Sequence, residues 1–183
     1  DLIQRNNLFN NTIIIFTSDH GDQCGSHKLR SKGPWNYEET MKVPLYITTP
    51  DMNFSQITKS LSSHIDLART IIDLAGGSDH QLEKFEGKSL TRLLKDPSKT
   101  VRNSVYFAQE WPWYPGVEKV RYANTGYFDG KIKYSRYYGI GGGVTNLGLV
   151  NNKKMRVTKN SNFDDFEHEL YDLSEDCLLY TSD

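Results

Sequence analysis

Residues 16–27, FTSDHGDQCGSH, gather Asp19, His20, Asp22 and His27 among glycines. Oxygen and nitrogen donors in one short segment suit a divalent cation. Neighbouring side chains on an extended backbone point opposite ways, so Asp19 and His20 can converge only across a tight turn. Gly21 is the candidate hinge. A second reading is open on the same residues: Asp19 caps the following turn, and His20 simply hydrogen-bonds nearby.

The elements that must position these residues can be read from either side of them. Thr12–Thr17 is a continuous apolar, β-branched run, and Val43–Thr48 is another with Pro44 near its start. Both are expected as strands buried on both faces of a mixed or mainly parallel sheet. Ligands in open α/β sheets sit beyond the carboxyl ends of such strands, which is where Asp19 and His20 fall. A short helix is expected over 35–41. Ser63–Ala75 has helical apolar spacing, with Ser63 as N-cap and Gly76-Gly77 as the stop, and should pack on that sheet. Ser89–Lys95 is a shorter helix candidate.

Beyond Pro97 the texture changes. Segments 104–109, 119–125 and 131–137 alternate and are rich in Val, Tyr and Phe, and 169–173 follows them. They read as antiparallel strands, with a soft boundary at 97–103. The fold class expected is α/β first, then a small antiparallel sheet.

Composition narrows the function classes. Lys+Arg of 22 against Asp+Glu of 23 gives a net charge of −1, so the chain shows no basic footprint for nucleic acid. No apolar run is long enough for a membrane segment. Cys24 and Cys177 stand far apart in different contexts and suggest no disulfide framework. The opening DLIQRNNLFNN lacks a signal peptide's regions and an initiator Met, and reads as the interior of a longer protein.

The longer pattern TSDHGD-x-x-G-x-H-x-x-x-x-KG-x-x-x-YEE-x-x-x-VPLYI-x-x-P resembles the second signature region of the sulfatases, in the alkaline phosphatase superfamily. HIDLARTIIDLAG resembles that family's D-x-x-PT-x-x-x-LAG helix, with Arg69 where Pro is usual. FEGKSLTRLL and ELYDLSED resemble two further segments, in the family's order. The resemblance implies part of an alkaline-phosphatase-like sandwich. Residues 1–100 would be the C-terminal part of the catalytic domain and 101–176 an antiparallel subdomain. Residues 177–183 would be an atypical or artefactual tail.

It also implies roles. Asp19 and His20 become metal ligands, with Ca2+ first and Mn2+ or Mg2+ open. Lys32 becomes the lysine that reaches the sulfate, and His27 a catalytic or substrate-binding imidazole; a loop-bracing role for His27 stays equally open. Tyr37, Glu38 and Glu39 should pack and orient the Lys32 loop. Trp111, Trp113 and Tyr114 could line a substrate mouth or simply pack. The family's formylglycine nucleophile arises from C-x-P-S-R, which does not occur here; Cys24, in DQCGS, does not match it. The expectation is thus a sulfuric ester hydrolase whose nucleophile half is missing, acting on a sulfate ester such as a sulfated carbohydrate. The alternatives are a phosphonate monoester or phosphodiester hydrolase of the same superfamily, and a non-catalytic partial chain. A periplasmic or secreted location goes with the family.

Overall fold

The computed structural model describes residues 2–52, 55–110, 123–138, 144–145, 148–149 and 162–175. Trp111, Trp113, Tyr114 and the tail 177–183 lie outside the described residues. The elements in chain order begin with α1 (Leu2–Arg5), β1 (Ile14–Thr17), α2 (Glu38–Met41), β2 (Leu45–Thr48) and α3 (Ile65–Leu74). They continue with α4 (Asp79–Leu82), α5 (Thr91–Lys95), β3 (Val105–Glu110), β4 (Ala123–Phe128) and β5 (Ile132–Tyr138). A small ribbon of β6 (Val144–Thr145) and β7 (Gly148–Leu149) precedes β8 (Glu167–Asp172). Among the described residues no helix is long and apolar enough to cross a membrane.

The chain divides into two compact units. One holds residues 1–21 and 42–103; the other holds 22–41 and 104–183. The loop after β1 therefore sorts with the C-terminal strands and not with β1 and β2, which it joins.

In the first unit β1 and β2 pair antiparallel, Ile14 opposite Thr48 and Thr17 opposite Leu45. This corrects the expectation of a parallel or mixed arrangement. A continuous apolar run carries no sign of strand direction, and the long connection that a parallel pair requires is also available to an antiparallel one. Neither strand is covered on both faces here. Leu45 and Ile47 pack on Leu90, Leu93 and Val101, while Phe16 and Tyr46, facing the other way, are exposed. Leu93 of α5 and Leu90 just before it thus lie under β2.

Helix α3 forms where the apolar spacing places it, with Leu67, Ile72 and Leu74 half-buried, but its fully buried residues are polar. Ile65 and Ile71 are exposed, and the buried stripe is Asp66 and Thr70. Both are satisfied. Arg102 grips the Asp66 carboxylate through Nε and Nη2, and the Ser63 and Lys88 backbone N–H groups donate to it at 2.9 and 2.8 Å. Thr70 Oγ1 donates to the Asp66 carbonyl at 2.6 Å and accepts the Leu90 N–H at 3.0 Å. The expected Ser63 side-chain cap is absent; the carboxylate of Asp66 reaches back instead, the return half of a capping box. Gly76, at φ 77°, ends the helix as expected.

The second unit is built on a four-stranded antiparallel sheet, ordered β3-β4-β5-β8. Strand alternation separates two faces. On one, Gln109, Asn124 and Tyr137 lie in register, as do Phe107, Gly126 and Ser135. A Cβ at Gly126 would sit 2.0 Å from the Phe107 ring, so only glycine lets that ring cross the sheet. Asn124, Lys133, Ser135 and Tyr137 on this face are fully or almost fully buried.

Candidate functional site

The backbone leaves β1 at Thr17 and turns within three residues. Asp19 Oδ1 accepts the His20 N–H at 2.9 Å, and Ser18 Oγ donates to the His20 carbonyl at 2.7 Å. Gly21 is not among the glycines in the left-handed region, so the turn is made by these side-chain bonds and not by a glycine hinge. The two side chains converge: His20 Nε2 lies 3.5 Å from Asp19 Oδ2. His20 Nδ1 is 2.7 Å from the Gly21 carbonyl, which can only accept, so Nδ1 carries the proton. In the neutral ring Nε2 then presents a lone pair toward a carboxylate oxygen. That pair is completed by a cation or by a proton on Nε2. A ring N–H committed to a backbone carbonyl is the usual support of a metal-ligating histidine. Asp19 Oδ1 caps the turn, as the second reading of the sequence expects, while Oδ2 faces Nε2.

The donor set fits a metal ion in part. A separation of 3.5 Å suits two adjacent ligands of one hard cation whose bonds are about 2.3–2.6 Å. Such an ion takes more than two ligands, and among the described residues no group of three or more His, Cys, Asp or Glu could hold one. The Asp19 side chain is 84% exposed.

His64 is a member of this group that sequence reasoning missed. Its Nε2 is 2.8 Å from the Ser18 carbonyl, so it tethers the residue before Asp19 from the start of α3. The signal available was only its place in HIDLA, where it reads as a helix start.

His27 and Lys32 belong to the second unit. The loop that carries them is strained: Cys24, His27, Lys28 and Ser31 all have positive φ between 49° and 62°. Each such non-glycine residue costs on the order of 1 kcal/mol and persists only where its surroundings hold it. Gln23, wholly buried, supplies part of that hold. Its N–H donates to the Ser31 carbonyl at 3.0 Å and its Nε2 to Thr40 Oγ1 at 2.6 Å, and Thr40 Oγ1 donates to the Lys32 carbonyl at 3.3 Å. The His27 ring stacks on Tyr37 at 4.0 Å and 11°, with Nε2 3.6 Å from Glu39 Oε1. Glu38 pairs with buried Lys133. Tyr37, Glu38 and Glu39 therefore orient the loop, as the sequence suggested.

After Lys32 the loop lies on the polar face of the sheet. Gln109 Nε2 donates to the Gly33 carbonyl at 3.1 Å, Asn124 Nδ2 to the Pro34 carbonyl at 2.9 Å, and Asn36 Nδ2 to Ser135 Oγ at 3.1 Å. Gly33, at φ 55°, has Trp35 Nε1 2.3 Å from where a Cβ would stand, so glycine is required there on two counts. Cys24 is exposed, and the hydrogen bond and charge of Asp22 push its thiol up from the ordinary value. A thiol so placed is a poor nucleophile.

Residues 1–78 match the family model described as Sulfatase. These residues are thus similar to the sulfatases of the alkaline phosphatase superfamily. Over 65 residues the chain is 45% identical to the uncharacterized sulfatase YidJ of Escherichia coli (strain K12), a match covering 36% of this chain and 13% of that protein. Over 89 residues it is 38% identical to the N-acetylglucosamine-6-sulfatase of Homo sapiens, covering 49% of this chain and 16% of that one. Among solved structures it is similar to BT4656 in complex with its substrate, D-glucosamine-2-N,6-O-disulfate. The TM-score is 0.61 at 27% identity, over 96% of this chain and 30% of that one. The chain thus spans less than a third of the length of each of these sulfatases. The fold is α/β, part of the alkaline-phosphatase-like architecture of these neighbours, with an antiparallel sheet toward its C-terminal end.

Proposed function

We propose that these residues form part of a sulfuric ester hydrolase acting on a sulfated carbohydrate. The observation that carries this reading is the facing of Asp19 Oδ2 and His20 Nε2 with Nδ1 committed to the Gly21 carbonyl. Asp19 and His20 would hold a divalent cation, Ca2+ in the first instance, with Mn2+ or Mg2+ as the alternatives. When bound, the ion supplies positive charge that polarises the sulfate oxygens. Asp19 contributes the anionic donor, and His20 the neutral one, its tautomer fixed by Gly21.

Lys32 would neutralise charge on the sulfuryl group as it transfers, a fixed cation that needs no reorganisation at the moment of reaction. His27 serves beside it. Its ring, held by Tyr37 and facing Glu39, supports an orienting role on substrate or loop more than a proton-transfer role. The nucleophile would be a formylglycine made from C-x-P-S-R, which the 183 residues do not contain. A periplasmic or secreted location goes with this reading.

The test compares three samples on 4-nitrophenyl sulfate. They are the 183-residue chain, the natural gene product that contains it after maturation by a formylglycine-generating system, and that product with Asp19→Asn. We expect no sulfate release from the first, turnover by the second, and a loss of at least about 100-fold in the third, beyond what outer-shell partners of a metal usually cost. Turnover by the 183 residues alone would show that the nucleophile lies within them. Activity on a phosphonate ester with none on sulfate esters would assign the protein to the superfamily's phosphonate hydrolases.

A further inference from the structure

We propose that Asn124 and Gln109 are positioning residues for Lys32, and that the antiparallel sheet holds the sulfate-binding loop in its working shape. This rests on the assignment of Lys32 above. The two amides stand directly opposite each other on β4 and β3. They point to the same face and donate to consecutive carbonyls, Gly33 at 3.1 Å and Pro34 at 2.9 Å, immediately after Lys32. Two bonds to adjacent peptide units fix both position and rotation of the backbone there.

Within the loop Gln23 and Thr40 hold Ser31 and the Lys32 carbonyl, and the two amides act on the two residues that follow. His27, Lys28, Ser31 and Gly33 all lie in the left-handed region, and Pro34 has no N–H to give to a turn. Farther along, Asn36 donates to Ser135 and Glu38 pairs with Lys133, so the segment 33–38 is tied to three successive strands. Burial makes the choice of amides informative. Asn124 is fully buried, where an apolar side chain would serve packing as well without desolvating a polar group. What the amide adds is direction.

The variants are Gln109→Ala at a half-buried site and Asn124→Leu, which keeps a similar volume and removes the donor. The first measurement, on the 183-residue chain, is the rate of tryptic cleavage after Lys28, Arg30 and Lys32, relative to cleavage after Lys131 at the exposed β4–β5 turn. Both variants should raise that ratio about tenfold. The second, on the matured gene product, is the inhibition constant of inorganic sulfate, which does not depend on how many molecules are folded. It should rise about tenfold or more, as misplacement of a binding group by a fraction of an ångström does. Faster cleavage with an unchanged inhibition constant would make the clamp merely structural and overturn the proposal, as would an unchanged cleavage ratio. An unchanged constant in Lys32→Ala would instead remove the Lys32 assignment on which the proposal stands.

Discussion

The turn after β1 and the loop around Lys32 are held in opposite ways. Asp19 and His20 are shaped by bonds among residues 18–21, with one tether from His64. Beyond its own Gln23 and Thr40, the Lys32 loop is shaped by side chains 70 to 100 residues away in sequence, on β3, β4 and β5. A donor pair that binds a small ion needs only local convergence, since the ion itself draws its ligands into place. A lysine that meets one face of a sulfate, as proposed for Lys32, has no such template and depends on the scaffold for direction. The difference is also one of burial. The Asp19 side chain is 84% exposed, whereas Gln23, Gly33, Pro34, Asn36 and Thr40 are buried around the Lys32 carbonyl.

The comparison can be broken most severely at Asp66, the anchor of the unit that carries the exposed turn. Asp66→Ala leaves the Arg102 guanidinium, itself mostly buried, without its carboxylate. Removing one partner of a buried pair costs about 3–5 kcal/mol. Urea melts should show that loss, and amide exchange in α3 should accelerate. A change under 1 kcal/mol would mean that water satisfies Arg102 as well as Asp66 does.

Next in size is Gly126→Ala, which drives a methyl group into the Phe107 ring and forces the sheet to shift under the Lys32 loop. Overpacking of this kind costs about 1–3 kcal/mol. The effect should reach the loop as faster exchange at the Ser26 and Leu29 amides. If only strand amides respond, the sheet does not shape the loop. His64→Ala is smaller. It removes one bond to the Ser18 carbonyl, worth about 1 kcal/mol. Calorimetric Ca2+ titration of the matured gene product should show an affinity loss of about tenfold if that tether orients the pair. Unchanged affinity would mean that the turn needs nothing beyond itself.

How much of this was legible depends on the same local–distant distinction. Asp19-His20 could be read because donors and turn are contiguous. Tyr37 and Glu38 could be read as loop-orienting because they follow Lys32 closely. The alternation in 104–109 and 131–137 announced antiparallel strands, and β3 and β5 lie within a residue of those bounds. The direction of β1 against β2 was not legible, since Ile14-Ile15-Phe16 shows no face and no partner. Nor was the buried polar stripe of α3, because Asp66 and Thr70 are buried only through Arg102 and the 87–91 segment, which approach from elsewhere. Gln109 and Asn124 carried no signal at all. A lone amide in a strand looks like a solvent-facing residue until the loop it holds is in place.

The smallest expected effect is on pH dependence, and it tests whether the first unit, too, relies on distant hydroxyl groups. The Asp73 carboxylate accepts hydrogen bonds from Ser89 Oγ and, at 2.6 Å, from Thr91 Oγ1, and these hold its carboxyl below the ordinary value. Burial opposes the two hydroxyls, and the nearby charges of Lys95 and Arg69 add lesser effects in the hydroxyls' direction. A carboxyl depressed in the folded state binds fewer protons there than in the unfolded chain. Its stabilisation is therefore fully present above the unfolded value, near pH 4, and is lost as the pH falls through the folded value. Ser89→Ala removes the largest of these causes, so the folded value should rise toward the unfolded one and the pH slope of stability below about pH 4 should flatten. Urea midpoints of wild type and Ser89→Ala, measured between about pH 2.5 and 7, should differ most at neutral pH and converge in acid. A constant offset across that range would show that Ser89 contributes packing at the start of α5 and nothing to the ionisation of Asp73.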